Sequence, residues 1–116
     1  KVTQNLRRTI TTVTPSSGVS TINLTANDNF IVNLTNESSS LVMTIASENV
    51  GQSGVIILKN PSSIGADFAM AALPSNMLTP AGASVNFATG ANDTSVISYV
   101  VISSTQALVN FVGDFS

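Results

Sequence analysis

Apolar and polar residues alternate with a period of two over much of the chain. Ile22 and Leu24 share one face of residues 19–25, Phe30, Val32 and Leu34 share one face of residues 29–35, and Leu41, Met43 and Ile45 share one face of residues 40–46. Successive side chains of a strand point to opposite faces, so this pattern predicts strands with one face buried, and it leaves Asn23, Asn33 and Thr35 toward water. Residues 9–14 are β-branched throughout, which suits a pleated strand and costs a helix side-chain freedom. Residues 15–18, Pro-Ser-Ser-Gly, read as a turn, and Ala26-Asn27-Asp28 reads as a short hairpin loop. Alternation of this kind marks antiparallel sheets covered on one face.

At Gly51-Gln52-Ser53-Gly54-Val55-Ile56-Ile57-Leu58 the pattern changes to a continuous apolar run behind two glycines. The glycines point to a structural turn at Gly51 and Gly54, and the run has the length of one central strand buried on both faces. Pro61 cannot donate a ladder hydrogen bond and marks the strand's end. Residues 68–73 predict a short strand stopped by Pro74, and residues 73–82, with two prolines and a glycine, an irregular crossing between sheets. Val85 and Phe87 predict a further short strand. Residues 95–103 carry apolar groups on both faces, with Tyr99 keeping its hydroxyl at a wet edge, and Thr105-Gln106 turns the chain into a last strand from Ala107. Altogether about eight or nine short strands with turn signals between them predict an all-β fold, an antiparallel β-sandwich of jelly-roll type. No sequence repeat suggests a solenoid.

One domain fits 116 residues, with residues 1–8 as an N-terminal arm or linker and residues 9–116 as the sandwich. Three of the four basic residues, Lys1, Arg7 and Arg8, lie in that arm, which suits docking on a neighbouring subunit, and Arg7 and Arg8 are candidates for an assembly arm that tethers the chain to a larger particle. The missing initiator Met reads as a domain cut from something longer, a processed product or the ordered part of a longer chain.

Charged residues are 9% of the chain, against roughly 25% in ordinary soluble domains, and Thr, Ser and Asn take the positions that charges normally fill. A net charge of -2 offers no footprint for a nucleic-acid backbone. With no His and no Cys, the chain has no Ser-His-Asp triad, no thiolate and none of the commonest zinc ligands. No apolar run approaches a membrane span.

The carboxylates Asp28, Glu37, Glu48, Asp67, Asp93 and Asp114 nearly all fall in predicted turns, where Asp caps its own backbone, and no two form a recognisable catalytic pair. Asp28 with Asn27 and Asn29, or Asp93 with Asn92, offers oxygen ligands for calcium, but neither loop has an EF-hand pattern. The Gly51–Gly54 spacing lacks the helix and Lys of a phosphate loop. Asn23, Asn33, Asn36 and Asn92 each open an Asn-x-Ser/Thr triplet, a pattern expected by chance in so Asn- and Thr-rich a chain. A hydroxyl-rich face can hydrogen-bond sugars, but the chain has no Trp and one Tyr; the five Phe are core candidates, with Phe115 also placed to pack on another subunit.

Several phrases recur in a telling order: Phe30-Ile31-Val32-Asn33-Leu34-Thr35, then Gly51-Gln52-Ser53-Gly54 with its strand, then Leu73-Pro74-Ser75-Asn76, Thr79-Pro80-Ala81-Gly82, Ser95-Val96-Ile97-Ser98-Tyr99 and a terminal hairpin. Over residues 19–115 this order resembles small β-sandwich domains of tailed-bacteriophage virion structural proteins, whether fibre, tail or capsid-attached. The chain departs from them at Leu73, where such domains often carry Trp. The resemblance implies a non-enzymatic structural module of the virion, a fibre or tail-attached domain or a capsid decoration protein. It implies a homo-oligomer, a trimer above other states, beside other virion proteins, with no cofactor and no catalytic residue. The alternative is a carbohydrate- or receptor-binding module at a fibre tip, meeting a host-surface glycan or receptor.

Overall fold

A computed structural model describes residues 9–71, 73–83 and 85–115. The arm at residues 1–8, with Arg7 and Arg8, lies outside the described residues. Within them the chain forms β1 (Ile10–Val13), β2 (Val19–Asn23), β3 (Asn29–Asn33), β4 (Ser38–Thr44), β5 (Ser53–Lys59), β6 (Ala69–Met70), β7 (Met77–Leu78), β8 (Thr94–Val101) and β9 (Ala107–Phe115), with 3-10 turns at Ser47–Asn49 and Pro80–Gly82. The strands make two sheets, one of six in the order β1-β3-β5-β8-β9-β7 and one of three in the order β2-β4-β6. The fold is the all-β, sandwich-like one that the alternation predicts. The inward positions are the predicted ones: Ile22, Leu24, Leu41 and Met43 from the small-sheet side meet Phe30, Val32, Ile56, Leu58, Ile97, Val101 and Val109 from the large sheet in one core cluster. Each such side chain contributes about 1.5–3 kcal/mol relative to leaving it exposed.

Strand direction departs from the expectation. β1, β3 and β5 run parallel to one another, β2, β4 and β6 do the same, and β7 runs parallel to β9; among these strands antiparallel pairing is confined to β5 with β8 and β8 with β9. Residues 26–28 close no hairpin. They carry the chain from β2 in the small sheet to β3 in the large one, so that from β1 to β6 the chain winds back and forth between the sheets before the β8–β9 hairpin ends it. A period of two reports burial on one face and is silent about the direction of the neighbouring strand. The winding has no sequence period because its turns lengthen: Ile10 pairs with Asn29, but Phe30 pairs with Ile56.

Two further expectations are corrected. Val85 and Phe87 belong to no ladder; side chains pin that stretch instead, with the Ala88 amide donating to Ser95 Oγ at 2.9 Å and Asn60 Nδ2 donating to the Ala88 and Gly90 carbonyls at 2.9 Å each. Phe87 meets Phe111 edge-on, ring centroids 5.4 Å apart. β5 is central, between β3 and β8, yet one face alone is fully buried: Ile56 and Leu58 face the core, whereas Val55 and Ile57 on the other side are half-buried because no second layer covers that face among the described residues.

The two glycines that precede β5 differ in their reasons. Gly51 has φ 89°, a conformation that side chains resist, but open space around its Cα. Gly54 has ordinary backbone angles, and a Cβ there would be driven into the Asp28 carbonyl oxygen and against Tyr99 Oη. Gly51→Ala is therefore expected to cost about 1–2 kcal/mol of conformational strain. Gly54→Val is expected to cost about 3 kcal/mol or more, because backbone must move to admit it. Denaturant unfolding of both variants measures the difference, and equal losses would contradict the steric account.

Candidate functional site

The densest polar cluster gathers on the turn before β5. The Gln52 amide donates to the Asn49 carbonyl, and the Gly51 amide and Gln52 carbonyl bond the Val101 carbonyl and amide at 2.8 Å each, fastening the turn to the end of β8. The Gln52 side chain then reaches across to the crossing between β2 and β3. Its Nε2 donates to the Leu24 and Asn27 carbonyls at 2.9 Å each and lies 3.4 Å from Tyr99 Oη. Its Oε1 accepts from Asn49 Nδ2 at 3.0 Å, and Asn49 Oδ1 accepts the Ala46 amide at 2.7 Å. Tyr99 completes the clamp by donating its hydroxyl to the Asp28 carbonyl at 2.6 Å.

Tyr99 is thus buried, with 4% of its surface exposed, and its hydroxyl is inside rather than at a wet edge. The reason is the crossing itself: residues 24–28 leave the small sheet with carbonyls that no ladder satisfies, and a buried carbonyl needs a donor. Gln52 and Tyr99 supply donors. The sequence carries one signal of this, a lone amide side chain between two glycines at the head of an apolar strand.

The candidate ligand groups are committed in the same way. Asn27 Nδ2 donates to the Thr9 carbonyl and to the hydroxyls of Thr9 and Thr11, its Oδ1 accepts the Asp28 amide, and Asn29 Oδ1 accepts the Val55 amide. Asp93 Oδ2 accepts the Gly90 amide, and Asn92 sits at φ 62° beside it. Glu37 and Glu48 accept hydroxyls of Thr35 and Thr25. Among the described residues no three of His, Cys, Asp and Glu come together as metal ligands, and no helix is long and apolar enough to cross a membrane. Asn23, Asn33, Asn36 and Asn92 are all exposed. The polar side chains of this cluster hold backbone.

The outer faces of the two sheets differ. The small sheet shows solvent Val19, Thr21 and Asn23 from β2 and Ser38, Ser40, Val42 and Thr44 from β4. On the large sheet Ile31, Ile57, Val96 and Val112 are successive partners across β3, β5, β8 and β9, with Val55, Val100 and Leu108 beside them. Lys59 is the charged residue on this face among those whose side chains are described. An extra residue in β9 then shifts the register: Val96 faces Val112, but Thr94 faces Phe115. Such a bulge re-aims side chains, and here it turns Phe115 onto the outer face, where it is 53% exposed. No family model, no curated protein and no solved structure matches the chain.

Tyr99→Phe removes one short hydrogen bond to the part-buried Asp28 carbonyl, so a stability loss of about 1 kcal/mol is expected. Gln52→Ala strands two carbonyls and Asn49, so a loss of about 2–4 kcal/mol is expected. Chemical denaturation measures both, and a Gln52→Ala variant as stable as the parent would contradict the clamp.

Proposed function

We propose that this chain is a non-enzymatic structural module that works by joining copies of itself, in the form the resemblance implies: a fibre, tail-attached or capsid decoration protein of a bacteriophage particle. The observation that supports assembly is an apolar row, Ile31, Ile57, Val96 and Val112, that crosses four adjacent strands on the outer face of the large sheet, where Lys59 is the charged residue among the described side chains. Contiguous apolar surface of this kind marks interaction sites. Gln52, Asn49, Asn60 and Asn76 each bond the chain's own backbone, while Ser20 Oγ and Asn76 Oδ1 are buried without a partner. The placement on a virion, beside other virion proteins, rests on the resemblance. Host adhesion through glycans has less behind it, since Phe115 is the exposed aromatic ring among the described residues and one ring makes a poor platform for sugars.

Sedimentation of the purified chain over a wide concentration range is expected to give a discrete closed oligomer. The resemblance implies a trimer. A chain that stays monomeric at every concentration would contradict the assembly reading.

A further inference from the structure

We infer that a second copy of this chain sits on the outer face of the six-stranded sheet, related by a two-fold axis that seats Phe115 of each copy in a depression at the far end of the other's face. This rests on the assembly reading above, gives it a surface, and replaces the trimer that the resemblance implies with a two-fold pair.

The two outer faces of one molecule contrast. Apart from Val19 and Val42, the outer face of β2 and β4 is hydroxyl and amide, whereas β3, β5, β8 and β9 carry an unbroken apolar row, Ile31, Ile57, Val96 and Val112, with Val55, Val100 and Leu108 set among Asn29, Ser53, Ser98 and Asn110. A surface that the chain treats as solvent-facing looks like the former.

Phe115 stands at one end of the face, in the row of Thr94 and Lys59. At the other end, beside Pro80, an open depression of about 330 Å³ is lined by Ser98, Val100, Leu108 and Asn110. A two-fold axis lying between two such faces and across the strands reverses one copy, so that each projecting ring meets the other's hollow. This is the self-complementarity that a two-fold contact requires. Two sheets of the same twist also pack face to face about 10 Å apart, with strands roughly 30° from alignment.

The same reversal puts the two Lys59 side chains at opposite ends of the contact. A three-fold axis along the strands would gather three of them at one end.

The test uses the full chain and three single variants in sedimentation velocity, with circular dichroism and thermal midpoints to confirm that each folds. The parent is expected to be a dimer. Phe115→Ala removes the ring and should weaken dimerisation by roughly tenfold or more. Leu108→Lys places a charge in the hollow and should give monomer. Val42→Lys, on the outer face of the small sheet and similarly exposed, should behave as the parent. Because the chain has no Cys, the double variant Phe115→Cys, Leu108→Cys supplies an independent reading: mild oxidation should produce a covalent dimer, and neither single variant should reach it in the same yield. A parent trimer, or a dimer that survives both Phe115→Ala and Leu108→Lys and does not cross-link, would overturn the two-fold pair while leaving self-assembly standing. A parent that is monomeric throughout would overturn both.

Discussion

The structure depends on how one crossing is held. Residues 24–28 carry the chain from the small sheet to the large one, and their carbonyls find no strand partner; Gln52 Nε2 and Tyr99 Oη supply the missing donors to Leu24, Asn27 and Asp28. That works only if the turn before β5 lies directly on the crossing, which the absence of a side chain at Gly54 permits. The turn is bonded in its own right to Val101 at the end of β8. A single short segment therefore joins the winding half of the molecule to the antiparallel half. A buried carbonyl without a donor costs about 1–3 kcal/mol, so this small cluster matters against a total stability on the order of 10 kcal/mol.

Much of the fold was legible because burial on one face of a strand leaves a period of two. Phe30, Val32, Leu41 and Met43 point inward as the alternation requires, and Phe30, Phe68, Phe87 and Phe111 are all buried or half-buried. What the pattern could not carry was direction. Ile22 and Leu24 bury the same face whether residue 25 begins a hairpin or a crossing, and the difference lies in carbonyl groups that have no signature in side-chain hydropathy. The two-residue β6 and the unpaired stretch at Val85 and Phe87 were blurred for a related reason: packing of Phe87 on Phe111 satisfies the apolar side chains without any ladder.

The site was less legible. Gly51 and Gly54 were readable as turn residues, but the reason for Gly54 is a contact with Asp28, far away in sequence and close in space. Gln52 and Tyr99 act through partners on another element, so neither stands out until the crossing is seen. The outer face was hidden by its own strand: a continuous apolar run through Val55, Ile56, Ile57 and Leu58 predicts burial on both sides, and one side of it is instead an uncovered surface. That surface, with a ring at one end and a hollow at the other, is where the molecule has something left to do.

The central claim is that Gln52 and Tyr99 act together on one crossing rather than as separate contacts. A double-mutant cycle combining Gln52→Ala with Tyr99→Phe, read by denaturant unfolding, tests it most directly. A coupling energy of about 1 kcal/mol or more between the two positions is expected, since the loss of either side chain frees the crossing that both hold. Losses that simply add, to within about 0.5 kcal/mol, would contradict it.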